Sequence, residues 1–113
     1  MESLDENKHV VLRQIEALNA GDLDTLERLV RPDFFDHGEG RRGGDAREAV
    51  RRLHAALAGS RLEPLDIIAE DDRVAVRARL GDDAAASQQI HIWRVLDGLI
   101  VEHWQSTTSR EAP

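Results

Sequence analysis

The sequence predicts an α+β domain in which helices pack on one face of a curved antiparallel sheet. In the first half, apolar residues recur at the three- and four-residue spacing of helices. In the second half, short segments rich in Val and Ile are separated by Asp and Gly. Helices followed by consecutive strands are typical of α+β domains, and the alternating order of a parallel nucleotide-binding sheet is absent.

Length and composition are those of one small globular domain. The chain has 113 residues, 41% hydrophobic and 33% charged, so we expect a single domain over residues 1–113. No apolar run approaches the roughly 18 residues that span a membrane. The N-terminus, MESLDENKH, is polar and unlike a secretory signal, which favours a cytoplasmic protein. With no cysteine, disulfides and thiolate metal sites are excluded.

Charge argues against a nucleic-acid partner. Acidic residues outnumber Lys and Arg by 22 to 15, giving a net charge of −7, whereas binding to phosphates requires a basic surface. One segment is rich in arginine but contains interleaved acids, so we interpret it as a solvated helix face rather than an anion site. Its charged residues are Arg41, Arg42, Asp45, Arg47, Glu48, Arg51 and Arg52.

Three helices are predicted in the first half. The first carries an apolar stripe of Val11, Ile15 and Leu18 and ends at Gly21. Asp22 caps a second, short helix, which ends before Pro32 and carries Leu23, Leu26, Leu29 and Val30. After a loop or short strand over residues 33–40, Asp45 caps a third helix that ends at Gly59, with an apolar face formed by Ala49, Val50, Leu53 and Leu57.

The second half predicts four strands, and the Asp97-Gly98 turn between the last two allows two registers. In a two-residue turn Leu96 pairs with Leu99. In a three-residue loop with Gly98 as the left-handed bulge residue, Val95 pairs with Leu99 and every later pair shifts by one. The predicted strands cover residues 62–70, 73–80, 88–96 and 99–107.

We prefer the bulged register, in which His91 faces His103. It gathers His91, Trp93, His103 and Gln105 on one face and leaves Ile90, Ile92, Arg94, Ile100, Glu102 and Trp104 on the other. The face with the two histidines is either a solvent-exposed outer face of the sheet or the lining of a cavity mouth. Because Glu102 points away from both histidines, this hairpin does not assemble a three-ligand zinc site, and no metal is expected.

At this point the chain resembles the SnoaL-like polyketide cyclase family of the nuclear transport factor 2-like superfamily. The last of the matching blocks is fairly specific for the family. The likeness covers most of residues 5–108 and leaves a flexible tail over 109–113. The matching blocks are Phe35–Gly38, Glu48–Val50, Ile67–Val74 and Ile90–Trp104.

The resemblance implies a cone, in which a strongly bent sheet wraps around three N-terminal helices and a pocket opens between them. It also implies a small-molecule ligand and a homodimer through the outer face of the sheet. Cyclases of the family close a ring by aldol chemistry without metal or cofactor, so no cofactor is expected. Members have a longer insert where this chain has only residues 81–89, which predicts a shallower pocket.

Gln105 stands where these cyclases carry the carboxylate that moves the proton, directly after the His-Trp pair. An amide cannot exchange a proton near neutral pH, but it can donate a hydrogen bond to a developing oxyanion. A base must therefore come from another residue, and His37 and His103 match the family's loop and strand histidines. The catalytic candidates are His37, His103, Gln105, His91 and Asp36, and the substrate-binding candidates are Trp93, Phe34, Phe35 and Val101.

Three functions are consistent with these residues. We favour an acid–base enzyme of cyclase, isomerase or hydrolase type that acts on a small apolar or aromatic carbonyl compound. The alternative is a non-catalytic ligand-binding or accessory domain that has lost the family carboxylate. The third is a dimeric interaction module whose own side chains fill the pocket.

Overall fold

The computed structural model describes two helices and six strands, and it confirms the predicted α+β class. The described residues are 3–37, 41–42, 51–52, 54–55, 60–81 and 87–108. The elements in chain order are α1 (Leu4–Ala20), α2 (Leu23–Leu29), β1 (Val30–Asp36), β2 (Arg41–Arg42), β3 (Leu62–Glu70), β4 (Arg73–Leu80), β5 (Ser87–Leu96) and β6 (Leu99–Thr108).

Side-chain caps and a left-handed glycine set the helix ends. The hydroxyl of Ser3 accepts the backbone N–H of Glu6 at 3.0 Å, and α1 ends at Gly21, whose φ is 70°. The carboxylate of Asp22 accepts the backbone N–H of Thr25 at 3.1 Å and begins α2. Both predicted boundaries, Gly21 and Asp22, are therefore confirmed. Val30, which the periodicity placed in the second helix, begins β1 instead.

The predicted third helix lies mostly outside the described residues. Within residues 45–59, only 51–52 and 54–55 are described, and their backbone is helical. A guanidinium nitrogen of Arg51 lies 3.4 Å from a carboxylate oxygen of Glu27 on α2. This contact agrees with the interpretation that the arginines of this segment pair with surface acids.

The strands form one curved, open sheet in the order β2-β1-β6-β5-β4-β3. Neighbouring strands are antiparallel except for β1 and β6, which are parallel, so the sheet is mixed rather than wholly antiparallel as predicted. The parallel pair joins strands from opposite ends of the chain. Parallel strands require a long connection between them, and here that connection contains every element from β2 to β5. Local periodicity contains no information about such a pairing.

The hairpin between β5 and β6 has a two-residue turn, so the preferred three-residue loop is wrong. Leu96 pairs with Leu99, and Asp97 and Gly98 both have positive φ, 52° and 75°. Two positive φ values in sequence are those of a type I′ turn, whose twist matches that of the flanking strands.

A one-residue shift occurs further along β6, at Val101, in the direction opposite to the predicted one. Trp93 therefore pairs with His103, and the predicted pairing of His91 with His103 is wrong. Val95 pairs with Ile100 but Arg94 pairs with Glu102, so Val101 is the extra residue of a β-bulge. The bulge reverses the side-chain alternation of β6. Ile100 precedes the bulge and pairs with the buried Val95, so it is fully buried in the core and not on the predicted outer face.

Gly98→Ala should destabilise the protein by about 1 kcal/mol, since an L-residue is strained at positive φ. No heavy atom lies within 4 Å of an added Cβ at this position, so the loss would come from the backbone alone. Urea unfolding measures the change. Gly98→Asn, which tolerates the left-handed region better, should cost less, and equal costs for the two variants would contradict a backbone origin.

Helix α1 packs across the inner face of the sheet and completes one hydrophobic core. Neither α1 nor α2 is long and apolar enough to cross a membrane, and no other helix of the described residues is. The fully buried apolar side chains come from both layers and include Val11, Leu26, Val74, Val76, Val95 and Ile100.

Candidate active site on the inner face of the sheet

Three polar side chains of β5 and β6 lie among the apolar residues of the inner face. Along β5, burial alternates with period two and places Gln89, His91 and Trp93 inside. From β6, His103 points to the same face, opposite Trp93 in the ladder. His91 and His103 are only 4% and 2% exposed, so their ring nitrogens require partners within the protein.

These partners form a continuous hydrogen-bonded chain from Gln89 through both histidines to Asp36. Oε1 of Gln89 lies 2.7 Å from Nε2 of His91, and Nδ1 of His91 lies 2.8 Å from Nε2 of His103. The other ring nitrogen of His103, Nδ1, lies 3.2 Å from Oδ1 of Asp36. We call these four residues the inner polar chain. Both nitrogens of each imidazole are used within it.

Trp93 shields the inner polar chain from solvent. Its indole is 1% exposed and stacks on both imidazoles, with ring centroids 5.1 Å from His91 and 5.2 Å from His103. The two imidazoles also stack on each other at 5.1 Å. This aromatic packing keeps the ring planes fixed relative to one another.

His91 is held in its neutral form. Burial, and secondarily the proximity of His103, lower the pKa of His91 to about 3, although the Asp36 carboxylate acts in the opposite direction. His91 is therefore uncharged near neutral pH. A neutral imidazole donates through one nitrogen and accepts through the other.

Asp36 enters the site through the parallel pairing of β1 with β6, in which it lies directly opposite His103. Its side chain is 13% exposed, so it is the more accessible end of the Asp36–His103 pair. The sequence singled out both residues but could not show that they touch, because 67 positions separate them.

Gln105 occupies the inner-face register but not the inner polar chain. It pairs with His91 in the ladder, yet its side chain is exposed and its amide donates to the hydroxyl of Thr107 at 3.2 Å. The amide is therefore near the rim of the site, where it could donate to a bound molecule.

His37 and Phe35 lie on the opposite face of the sheet, because side chains alternate along β1 and Asp36 points inward. Nε2 of His37 lies 2.7 Å from a carboxylate oxygen of Glu102, and the two rings of Phe35 and His37 meet edge to face at 4.4 Å. The structure thus places the side chains of His37 and His103 on different faces, although the backbone N–H of His37 donates to the carbonyl of His103 at 2.8 Å. It also places Glu102 away from the inner polar chain, as the preferred face assignment predicted.

The outer face carries its own charged network. Arg94 binds Asp72 at 2.7 Å and Glu102 at 3.0 Å. The hydrogen bond from His37 foremost, and then Arg94, hold the pKa of Glu102 below its usual range. Both carboxylates are consequently ionised partners of Arg94 near neutral pH.

Aromatic and apolar side chains accompany this network on the outer face. His37 stacks on Trp104 at 4.5 Å, and the guanidinium of Arg73 lies 5.4 Å from the Trp104 ring. Ile68 is 68% exposed and Ile90 43%. The homodimer expected through this face stays a prediction.

The remaining substrate-binding candidates are buried. Phe34 belongs to the same core cluster as Trp93, and Val101 is buried at the β-bulge. Either could contribute apolar surface to a ligand only from within the packed interior. Phe35 is the one substrate-binding candidate that lies on the outer face of the sheet, beside His37.

Two glutamines were not among the predicted site residues. Gln89 lies two positions before His91, so the strand alternation already placed it on the histidine face. Gln14 lies on α1 among apolar neighbours, is 2% exposed, and its Oε1 has no hydrogen-bond partner among the described residues. A buried amide in the apolar stripe of a helix is the signal that could have identified it.

Within residues 3–37, 60–81, 87–108 and the short described segments between them, no group of three His, Asp or Glu side chains could hold a metal ion. The inner polar chain offers two imidazoles and one carboxylate, but each imidazole nitrogen already faces a protein partner. The arrangement suits proton transfer along hydrogen bonds.

Comparison with known proteins agrees with this architecture. The sequence matches the SnoaL-like domain family over residues 11–103. No curated protein matches the sequence.

Three solved structures illustrate the likeness. AclR from Streptomyces galilaeus, a candidate hydroxylase, is 26% identical over 96% of this chain and 82% of its own, with a TM-score of 0.75. IdmH from Streptomyces antibioticus, a candidate polyketide cyclase, is 27% identical over 89% and 91%, with a TM-score of 0.71. An NTF-2-like protein from Burkholderia xenovorans LB400 is 18% identical over 96% and 88%, with a TM-score of 0.74, which shows the fold alone. The chain therefore belongs to the SnoaL-like domain family and has the nuclear transport factor 2-like fold.

Proposed function

We propose that this protein is a cofactor-independent acid–base enzyme acting on a small apolar or aromatic carbonyl compound. The observation that carries the proposal is the contact of Asp36 with the buried His103, backed by His91. Buried polar groups cost free energy even when paired, and apolar residues would fill the same space at no such cost. Proton transfer gives these residues a role that packing does not.

Asp36 is the proton-accepting group in this proposal, and His103 supports it. Both nitrogens of His103 face protein atoms, whereas Asp36 is partly exposed. A carboxylate can take a proton from the carbon next to a carbonyl group, and the electron pair of the broken C–H bond then moves to the carbonyl oxygen. The neighbouring imidazole can hydrogen-bond to the carboxyl group that has gained the proton. Asp36 would thus replace the carboxylate that the family carries at the position of Gln105.

The other roles follow from position. Gln105 would donate its exposed amide to the developing enolate oxygen. Trp93 and Phe34 would contribute apolar surface next to the pair. His37 has no part in this proposal, since it contacts Glu102 on the other face. The similarity to IdmH, a candidate polyketide cyclase, supports a small-molecule substrate.

Hydrogen–deuterium exchange next to a carbonyl group tests the proton transfer without knowledge of the natural substrate. Acetophenone and β-tetralone would be incubated with the protein in D₂O, and loss of the α-proton signal followed by NMR. We expect the wild type to accelerate exchange of at least one ketone. Asp36→Asn should reduce that acceleration about 100-fold or more, the usual contribution of general base catalysis.

The exposed His9 on α1 supplies the matched control, and His9→Asn should exchange at the wild-type rate. His37→Asn tests the assignment itself. If exchange is lost in His37→Asn but kept in Asp36→Asn, the proton-accepting residue has been assigned to the wrong face.

A non-catalytic binding protein is the second candidate, and the amide at Gln105 favours it. Without the family carboxylate the domain could bind an aromatic ketone and leave it unchanged. In that case β-tetralone would raise the melting temperature while its α-protons exchanged no faster than in buffer. That outcome would overturn the enzyme and support the binder.

A further inference from the structure

The inner polar chain contains three hydrogen-bonding contacts, and each needs one hydrogen between its two heavy atoms. Gln89 presents its side-chain carbonyl, Oε1, to His91 at 2.7 Å. A carbonyl oxygen only accepts hydrogen bonds. The hydrogen of this first contact must therefore be on Nε2 of His91.

The direction of the second contact follows from the first. His91 is neutral, since burial lowers its pKa to about 3, so it carries a single ring hydrogen. With that hydrogen on Nε2, the other nitrogen of His91, Nδ1, can only accept. Nε2 of His103, at 2.8 Å, must then be the donor.

The third contact, between Nδ1 of His103 and Oδ1 of Asp36, also needs one hydrogen. A neutral His103 and an ionised Asp36 have no hydrogen left for it. The single hydrogen of a neutral His103 is already on Nε2, facing His91. Nδ1 of His103 would then direct a lone pair at an ionised Asp36 only 3.2 Å away, and the two would repel each other. One further proton between Nδ1 and Oδ1 removes this repulsion, whether His103 or Asp36 carries it.

We propose that Gln89 is a positioning residue, whose carbonyl holds His91 as the Nε2–H tautomer and so keeps one labile proton between His103 and Asp36. The inference rests on the proposed function and deepens it, because when His103 carries that proton the carboxylate of Asp36 stays ionised and can accept the proton of the substrate. Gln89 touches neither atom of the Asp36–His103 pair. It acts through His91.

The opposite orientation of the same amide reverses every hydrogen bond in the chain. An amide N–H directed at Nε2 of His91 would leave the ring hydrogen of His91 on Nδ1, donating to Nε2 of His103. His103 would then donate its own hydrogen from Nδ1 to an ionised Asp36. All three contacts would be satisfied with one proton fewer, so the amide orientation and the proton count change together.

Among the described residues, two titratable groups shift the pKa of His91: His103 from β6 and Asp36 from β1. The residues that pair with β5 from β4 on the inner face are apolar: Val74 opposite Trp93, Val76 opposite His91 and Ala78 opposite Gln89. The buried polar side chains of α1 are the neutral Asn7 and Gln14. The tautomer of His91 is therefore controlled mainly by its hydrogen bond to Gln89.

Long-range ¹H–¹⁵N NMR of the histidine rings tests the proposal, because protonated and unprotonated ring nitrogens have distinct shifts. In the wild type near neutral pH we expect His91 protonated at Nε2 only and His103 protonated at Nε2. Gln89→Leu removes the acceptor, and His91 should change to the Nδ1–H tautomer. Gln89→Glu retains an acceptor and should retain the wild-type tautomer.

Gln88→Leu is the matched control, since Gln88 is exposed on the neighbouring position of the same strand. It should leave both histidines unchanged. A wild-type His91 protonated at Nδ1, or a Gln89→Leu variant with the wild-type tautomer, would overturn the proposal. The measurement needs no substrate, so failure of the ketone exchange assay and failure of this inference are separate results.

Discussion

Lowering the pH from about 7 to about 4 should reduce the free energy of unfolding by about 3 kcal/mol through His91 alone. The folded protein keeps His91 neutral until about pH 3, because burial opposes its charge. The unfolded chain binds a proton at the ordinary pKa of about 6.5. The stability due to neutral His91 is therefore complete above this value and is lost as the pH falls below it.

Urea unfolding at a series of pH values measures this effect. His91→Gln removes the titrating group, so the variant should lose less stability than the wild type between about pH 6.5 and about pH 4, by about 1.4 kcal/mol per pH unit. His9→Gln, on the exposed side of α1, should keep the wild-type slope. Equal slopes in the wild type and His91→Gln would mean that His91 gains its proton in the folded state as readily as in the unfolded one.

Trp93→Ala should destabilise the protein by about 3–5 kcal/mol, the usual cost of deleting a buried aromatic side chain. The indole is 1% exposed and stacks on both histidines, so its loss opens a cavity beside the inner polar chain. Water entering this polar cavity would solvate His91. We therefore expect the pKa of His91 to rise in the same variant.

The two consequences are measured by urea unfolding and by NMR titration of the His91 ring. Trp104→Ala is the matched control, since Trp104 is only partly buried, on the other face. It should cost less and leave the pKa of His91 unchanged. Trp93→Phe, which keeps an aromatic ring in the core, provides a folded variant if Trp93→Ala does not fold. If both Trp93 variants lose stability but keep the low pKa of His91, the indole of Trp93 does not keep water from His91.

Most local structure could be predicted from the sequence. The strands over residues 62–70 and 73–80 have the predicted bounds, and the last two differ by one residue at one end. Gly21 and Asp22 mark the helix boundary as expected. These features depend on side-chain periodicity and on turn and cap residues, which act over a few positions.

The candidate site was predicted only as a set of residues. The histidine face of the hairpin has the predicted members because the bulge at Val101 restores the alternation that a three-residue loop would have produced. A bulge depends on how the strand packs and leaves no clear mark in hydrophobic periodicity. The predicted members of the histidine face are therefore correct although the predicted turn is wrong. Ile100, which lies between the turn and the bulge, is on the face opposite to the predicted one.

The sequence by itself determined the fold class, the strand and helix boundaries and the presence of polar residues on a buried face, because each is encoded in neighbouring positions. Only the tertiary structure decided that Asp36 meets His103, that His37 faces Glu102 instead, and that Gln89 ends the inner polar chain. These contacts depend on the parallel pairing of β1 with β6 and on ring orientation in a packed core. Both are set by long-range packing, which local patterns do not record.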